Sequence, residues 1–230
     1  MADLELQKKN AAIRAVDEVQ SDMLVGLGTG TTAAYAVREI ARKIAMENLR
    51  IVATTTSSAT ETLATSLNIP LRPFSEISAV DLDIDGADDI DPQFRAIKGG
   101  GGALFREKIV AASATRTIII VDSSKSVDVL GRSRLPVETH PFALRFVEKR
   151  LSEYGAPVVL RTKSDGSPFL TDQNANIFDL SLGVIDNPED LASQLQSLPG
   201  VLAHGLFLGL IDSVVVGQDD GTIVKTRDTS

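Results

Sequence analysis

Apolar positions recur along this chain in two rhythms. Leu4, Ala11, Ala12, Ala15, Val16 and Val19 return at roughly helical spacing, which predicts an amphipathic first helix. Residues 23–27 form a short apolar run ending in glycine, as a buried strand does. Residues 31–46, rich in Ala and Ile and free of Gly and Pro, predict a helix. A second strand follows at 50–53 and a second crossover helix at 57–67. Residues 80–85 then alternate Val80, Leu82 and Ile84 with Asp81, Asp83 and Asp85, the period-2 pattern of a strand. A helix over 103–112 and a strand over 117–121 follow. Strand–helix alternation of this kind predicts a parallel α/β sheet.

The rhythm changes from about residue 132. A strand at 135–140, a helix at 142–154 and a strand at 158–162 lead to the turn Lys163-Ser164-Asp165-Gly166. A strand around 169–179, a helix at 188–198 and a strand at 201–206 complete the order β-α-β-β-α-β, the split βαβ of ferredoxin-like domains. A hairpin, 213–216 and 222–225 around Gln218-Asp219-Asp220-Gly221, is expected to return to the first domain. The predicted fold is therefore α/β. A Rossmann-like parallel-sheet domain (1–131 and 207–230) carries a small ferredoxin-like α+β domain (132–206) inserted before the C-terminal strands. No internal repeat or low-complexity tract interrupts it.

Composition narrows the function. The 230 residues are 43% hydrophobic and 23% charged, the balance of an ordinary globular protein. The formal net charge of −8 argues against a general nucleic-acid or anionic-membrane binder, which needs basic excess. Without cysteine there is no disulfide, thiolate nucleophile, iron–sulfur cluster or zinc ribbon, and His140 and His204 are too few for an imidazole metal cage. Absence of cysteine also fits a cytosolic enzyme. The opening residues are charged and helical in period, unlike a secretory signal. No window approaches 18 uncharged apolar residues, so no membrane span is expected.

Four polar stretches stand at predicted strand ends. Gly26-Leu27-Gly28-Thr29-Gly30-Thr31-Thr32 is a strand-to-helix turn whose glycines allow close ligand approach and whose helix aims free N–H groups at an anion. It loosely fits a dinucleotide fingerprint. That site also wants an acid ~20 residues on, at the end of the second strand. Ala53-Thr54-Thr55-Thr56-Ser57-Ser58 stands there instead, a hydroxyl cluster better suited to a small phosphate ester. Residues 81–91 hold six aspartates and begin like a calcium loop, but Pro92 occupies the position that needs a bidentate Glu. Carboxylates crowded at a strand end repel one another and suit acid–base work. Lys98, four consecutive glycines (99–102) and Glu107 form the third stretch. A cation and a carboxylate flanking a backbone cradle suggest an enolate-type site. Val121-Asp122-Ser123-Ser124-Lys125 is the fourth, with Lys125 a candidate phosphate cation. A parallel sheet would bring all four to one edge.

The set GLGTGTT, TTSSATE, DIDGADDID, KGGGGALFREK and VDSSK, in this order, resembles type A ribose-5-phosphate isomerase over essentially the whole chain. The resemblance implies an aldose–ketose isomerase that interconverts D-ribose 5-phosphate and D-ribulose 5-phosphate through an enediolate, in the non-oxidative pentose phosphate pathway. It implies no cofactor and no metal. Carried over by motif, the substrate-binding residues are Thr29, Gly30, Thr31, Thr32, Asp85, Gly86, Ala87, Asp88, Lys98, Gly99, Gly100 and Gly101, with Lys125 beside them. The family's N-terminal phosphate lysine falls on Lys8, with Lys9 one residue away. The catalytic set is Glu107 as the proton-transferring base, Lys98 for the enediolate oxygen, and Asp85 or Asp88 for ring opening. The implied partner is a small sugar phosphate, with no nucleic acid and no membrane, and the assembly a cytoplasmic homodimer or tetramer. A deaminase or lactonase on a related scaffold would want a histidine in the site, whereas both histidines fall in the predicted small domain. A sugar-phosphate sensor would want a DNA-binding segment, and none is legible.

Overall fold

The computed structural model describes residues 2–227, which group into two units. The first takes the described residues up to Ala87, Arg106–Ser126 and the residues from Gly209 onward; the second takes Asp88–Phe105 and Val127–Leu208. Elements in chain order are α1 (Leu4–Val16), β1 (Leu24–Leu27), α2 (Thr31–Glu47), β2 (Val52–Thr55), α3 (Ser58–Ser66), β3 (Val80–Gly86), β4 (Asp89–Ile90), β5 (Ala96–Ile97), α4 (Leu104–Ser113) and β6 (Ala114–Asp122). They continue with β7 (Leu135–Thr139), α5 (Leu144–Ser152), β8 (Val158–Leu160), β9 (Asn176–Leu180), α6 (Pro188–Ser197), β10 (Val201–His204), β11 (Leu206–Phe207), β12 (Ser213–Gln218) and β13 (Gly221–Thr226). Among the described residues no helix is long and apolar enough to cross a membrane.

The first unit is built on a six-stranded sheet of order β13-β12-β6-β3-β1-β2, parallel except for the β12–β13 hairpin. Successive side chains of a strand face opposite sides, so β1 divides its neighbours cleanly. Val25 and Leu27 join the core formed with Ala11, Ala15 and Val16 of α1 and Val37 and Ile40 of α2. Between them Gly26 faces α4, where an added Cβ would lie 2.6 Å from Val110 Cγ1. The helix starts follow local chemistry. Asp3 accepts the Leu6 N–H at α1 and Ser57 accepts the Thr60 N–H at α3, each replacing a bond the first turn lacks. Asn48 ends α2 in the left-handed conformation, φ 57°.

The second unit holds a four-stranded antiparallel sheet of order β10-β7-β9-β8, with α5 and α6 as crossovers, the ferredoxin-like arrangement. Its core gathers Leu135, Val137, Phe178 and Leu180 around Val147, Leu151 and Leu195. A separate three-stranded sheet, β11-β5-β4, was not foreseen. Its strands are two residues each, too short for any periodicity to register. Pairing of β5 with β11 (Ile97 with Leu206) groups 88–105 with the second unit, whereas the sequence reading set that stretch in the first. The strand expected around 169–179 begins only at Asn176. Before it the chain turns back on itself, with Ala175 carbonyl accepting the Thr171 N–H at 2.9 Å and Asn174 at φ 60°.

Candidate active site

In the first unit the chain leaves β1 toward β2 on one side, while β3 lies on the other. This is a topological switch point, where open α/β sheets bind ligands beyond the strands' carboxyl ends. The loop after β1 and the last residues of β3 meet there. Asp85 Oδ1 accepts the N–H of Thr29 at 3.0 Å and of Gly86 at 2.7 Å. A Cβ on Gly28 would fall 2.1 Å from that oxygen, so only glycine fits. Gly30, at φ 104°, opens α2 without a side-chain cap, so the N–H groups of Thr31 and Thr32 start the helix facing outward from its N-terminus. The hydroxyl cluster after β2 is spent on holding this loop. Thr29 and Thr56 hydroxyls lie 2.7 Å apart, and Thr56 and Thr60 donate to the carbonyls of Leu27 and Gly28.

The two expected phosphate lysines also have built settings. Lys8 Nζ pairs with Glu5 at 2.7 Å, and the other Glu5 oxygen accepts from Tyr35, one turn beyond Thr31. Hydrogen bonds from Lys8 and then Tyr35 hold the Glu5 carboxyl below its ordinary range. Lys9 is exposed, whereas the Lys8 side chain is 17% exposed. Lys125 ends the 3-10 turn Ser123–Lys125, capped by Asp122. Gln7 secures that turn: its Oε1 accepts the Ser123 N–H at 2.9 Å while its Nε2 donates to Asp219 at 2.8 Å. Sequence reasoning passed over Gln7. Its only signal is its place beside Lys8.

Glu107 is 3% exposed on α4, the helix that covers the Gly26 face of the sheet. Asp83 and Asp85, on that same face of β3, are buried as well. Beside Glu107, burial pushes the half-buried Lys108 ammonium down to about 7.

In the second unit Asp88 Oδ2 accepts the Gly100 N–H at 2.7 Å, and the Asp88 N–H donates to Ile97 carbonyl. Lys98, 3% exposed, donates its N–H to Gly205 carbonyl and lies over the Phe207 ring, 5.3 Å from its centroid. Gly99 (φ 104°) and Gly102 (φ 82°) are both in the left-handed region, and a Cβ at Gly102 would meet the Phe169 ring at 2.5 Å. The glycine run is thus a shaped loop.

The acidic stretch does not act as one crowd. Asp81 is exposed and accepts the Leu24 N–H. Asp89 takes the Ser133 hydroxyl and N–H together with Arg132, and Asp91 pairs with Arg95 at 2.7 Å. Asp81, Asp85, Asp88, Asp89 and Asp91 each hold partners of their own. Among the described residues no group of three or more His, Asp or Glu is arranged to hold a metal. His140 is exposed and caps the turn before α5, and His204 is buried in β10.

A family model described as ribose 5-phosphate isomerase A (phosphoriboisomerase A) matches residues 52–221. The ribose-5-phosphate isomerase A of Sphingopyxis alaskensis is 54% identical over 227 residues, covering 99% of each chain. A solved D-ribose-5-phosphate isomerase in complex with phospho-erythronic acid superposes with a TM-score of 0.94 at 35% identity, covering 98% of this chain and all of its own. The enzyme from Methanocaldococcus jannaschii gives 0.91 at 37% identity, with 96% and 98% covered. The chain belongs to the ribose 5-phosphate isomerase A family.

Proposed function

We propose that the protein interconverts D-ribose 5-phosphate and D-ribulose 5-phosphate by proton transfer through an enediolate, with Glu107 as the base that shuttles the proton. The activity itself follows from membership of the family, and with it a place in the pentose phosphate pathway. The reading of the site rests chiefly on one observation: a carboxylate 3% exposed, on the helix that directly follows a four-glycine loop. A buried carboxylate close in the chain to a backbone cradle suits abstraction of a weakly acidic carbon-bound proton, for which positioned bases contribute ~10²–10⁴-fold.

The remaining roles follow from charge and donors. Lys8, Lys125 and the N–H groups of Gly30, Thr31 and Thr32 hold the phosphate, a dianion suited to a helix N-terminus, while Thr29 shapes the loop through its bond to Asp85. Asp85 or Asp88 accepts a sugar hydroxyl proton and assists ring opening, with Gly86 and Ala87 lining the substrate between them in the chain. Glu107 takes the C2 proton and returns it to C1. Lys98, with the N–H groups of Gly99 and Gly101, balances the charge that develops on the enediolate oxygen, while the Gly100 N–H holds Asp88. No step needs a cofactor or a metal. We further place the enzyme in the cytoplasm as a homodimer or a tetramer, the first unit serving as the catalytic domain (1–131 and 207–230 in the sequence reading) and 132–206 as the accessory one.

The test is isomerisation in deuterated water after exhaustive EDTA treatment. Ribulose 5-phosphate formed at the full rate with deuterium at C1 is expected. Product without any solvent deuterium together with full activity of Glu107→Gln would indicate a hydride shift, and loss of rate restored by a divalent ion would indicate a metal site. Either result would overturn the mechanism.

A further inference from the structure

Arg161 lies in the second unit and belongs to none of the motifs that mark this family. It continues the line of β8, donating its N–H to Ile177 carbonyl at 2.8 Å and accepting the Phe169 N–H at 2.9 Å. Each nitrogen of its guanidinium donates a hydrogen bond. Nε and Nη2 donate to the two oxygens of Asp179, at 2.9 and 2.5 Å, a bidentate pair whose side chains are 16% and 10% exposed. Nη1 donates to the carbonyls of Gly99 at 2.9 Å and Gly100 at 3.1 Å. The Phe169 ring backs it, with Arg161 Cζ 5.8 Å from the centroid, and the same ring blocks any side chain at Gly102.

A planar trans peptide points its carbonyl and the following N–H in opposite directions. With Gly99 carbonyl turned to Arg161, the Gly100 N–H must face away, and it does, toward Asp88. With Gly100 carbonyl turned to Arg161, the Gly101 N–H is likewise directed away from the guanidinium. The Gly99 carbonyl also accepts the Gly102 N–H at 2.9 Å in a turn that the left-handed Gly99 and Gly102 allow, and Arg161 reinforces that carbonyl and adds the hold on Gly100. Asp179 neutralises the guanidinium, so the clamp supplies direction without adding net charge to the loop.

We propose that Arg161 is a positioning residue for isomerisation: held by Asp179, it fixes the carbonyls of Gly99 and Gly100 so that the N–H groups of Gly100 and Gly101 are preset toward Asp88 and the enediolate oxygen. This rests on the reading that residues 98–101 hold the substrate.

The experiment compares wild type with Arg161→Ala, Arg161→Lys and the double variant Arg161→Met/Asp179→Asn, which leaves no unpaired buried carboxylate and so guards against simple misfolding. Steady-state kinetics on ribose 5-phosphate, inhibition by phospho-erythronic acid and thermal melting are measured on each. Misplaced donors are expected to lower kcat ~10²-fold in the Ala and double variants, with KM little changed. Affinity for phospho-erythronic acid, whose planar carboxylate mimics the enediolate oxygens, should fall in step with kcat. Arg161→Lys should restore only part, because one ammonium cannot span two carbonyls and a carboxylate. A folded Ala or double variant with wild-type kcat and inhibitor affinity overturns the positioning role alone, as does a rise in KM with kcat unchanged. Wild-type protein inactive on ribose 5-phosphate would instead overturn the functional reading and this role with it.

Discussion

At the scale of single residues, Glu107 carries the sharpest expectation. Glu107→Gln keeps the shape and hydrogen bonding of a side chain that is 3% exposed but removes the base. It should fold and bind substrate normally while kcat falls at least ~10²-fold and exchange of the C2 hydrogen with solvent stops. A variant retaining more than about a tenth of wild-type kcat, under ~1.4 kcal/mol of barrier, would place the base elsewhere. Lys108, next in the chain, has a stability role that pH exposes. Its folded-state pKa of about 7 lies below the ordinary lysine value of 10.5, so between those limits the unfolded chain binds more protons. Stability therefore rises with pH across that window, and at or below pH 7 the folded protein bears the cost of charging a half-buried ammonium. Urea unfolding at pH 7 and pH 9 should show Lys108→Met gaining on wild type at pH 7 and keeping only part of that advantage at pH 9. Parallel profiles would remove Lys108 as the cause. Glu107, Lys98 and the glycines stood out in sequence as candidates because their chemistry is unusual at that spacing. Gln7 and Arg161 did not, because an amide or guanidinium looks ordinary until its partners, Asp219 and Asp179, are brought to it from far along the chain.

At the scale of elements, the long periodic segments were legible and the short ones were not. α2, α4 and the strands β1, β3 and β6 declared themselves by apolar period. β4, β5 and β11 span two residues each, and their existence depends on one another across the sheet rather than on any local pattern. The alternation in β3 was legible too, but not that Asp83 and Asp85 would be buried, since the cover over that face comes from α4. One contact between elements makes a strong prediction. A Cβ on Gly217 of β12 would lie 1.8 Å from the Gln7 carbonyl of α1, backbone that cannot step aside. Gly217→Ala should cost about 1–3 kcal/mol of stability, the range for overpacking. It should also raise KM for ribose 5-phosphate, because the Gln7 bond to Ser123 steadies the turn that ends in Lys125. Unchanged melting and KM together would show that α1 tolerates the shift.

At the scale of the whole molecule, the order of strands and helices in each unit was legible, whereas the partition of the chain was less so. The 88–105 stretch joins the second unit through pairing that no sequence pattern announced. Assembly is the open expectation at this scale: light scattering at micromolar concentration should return at least twice the 24.5 kDa of one chain. A mass of one chain would overturn that expectation. The ties between α1 and the C-terminal hairpin also have a consequence for how the protein is made. Gln7 and Asp219 are 212 residues apart in the chain, and the Asp3 N–H also donates to Asp219. A ribosome adding 5–20 residues each second takes about 10–40 s between them. During that wait the small domain's strands and helices are all synthesised. The apolar side of α1 that belongs against β6 and β12 has only part of its cover until the final strands are released. A released chain truncated before Gly209 would carry all five motifs and still lack Asp219, the partner of Gln7, so it should yield a protease-sensitive first unit and a protected second one.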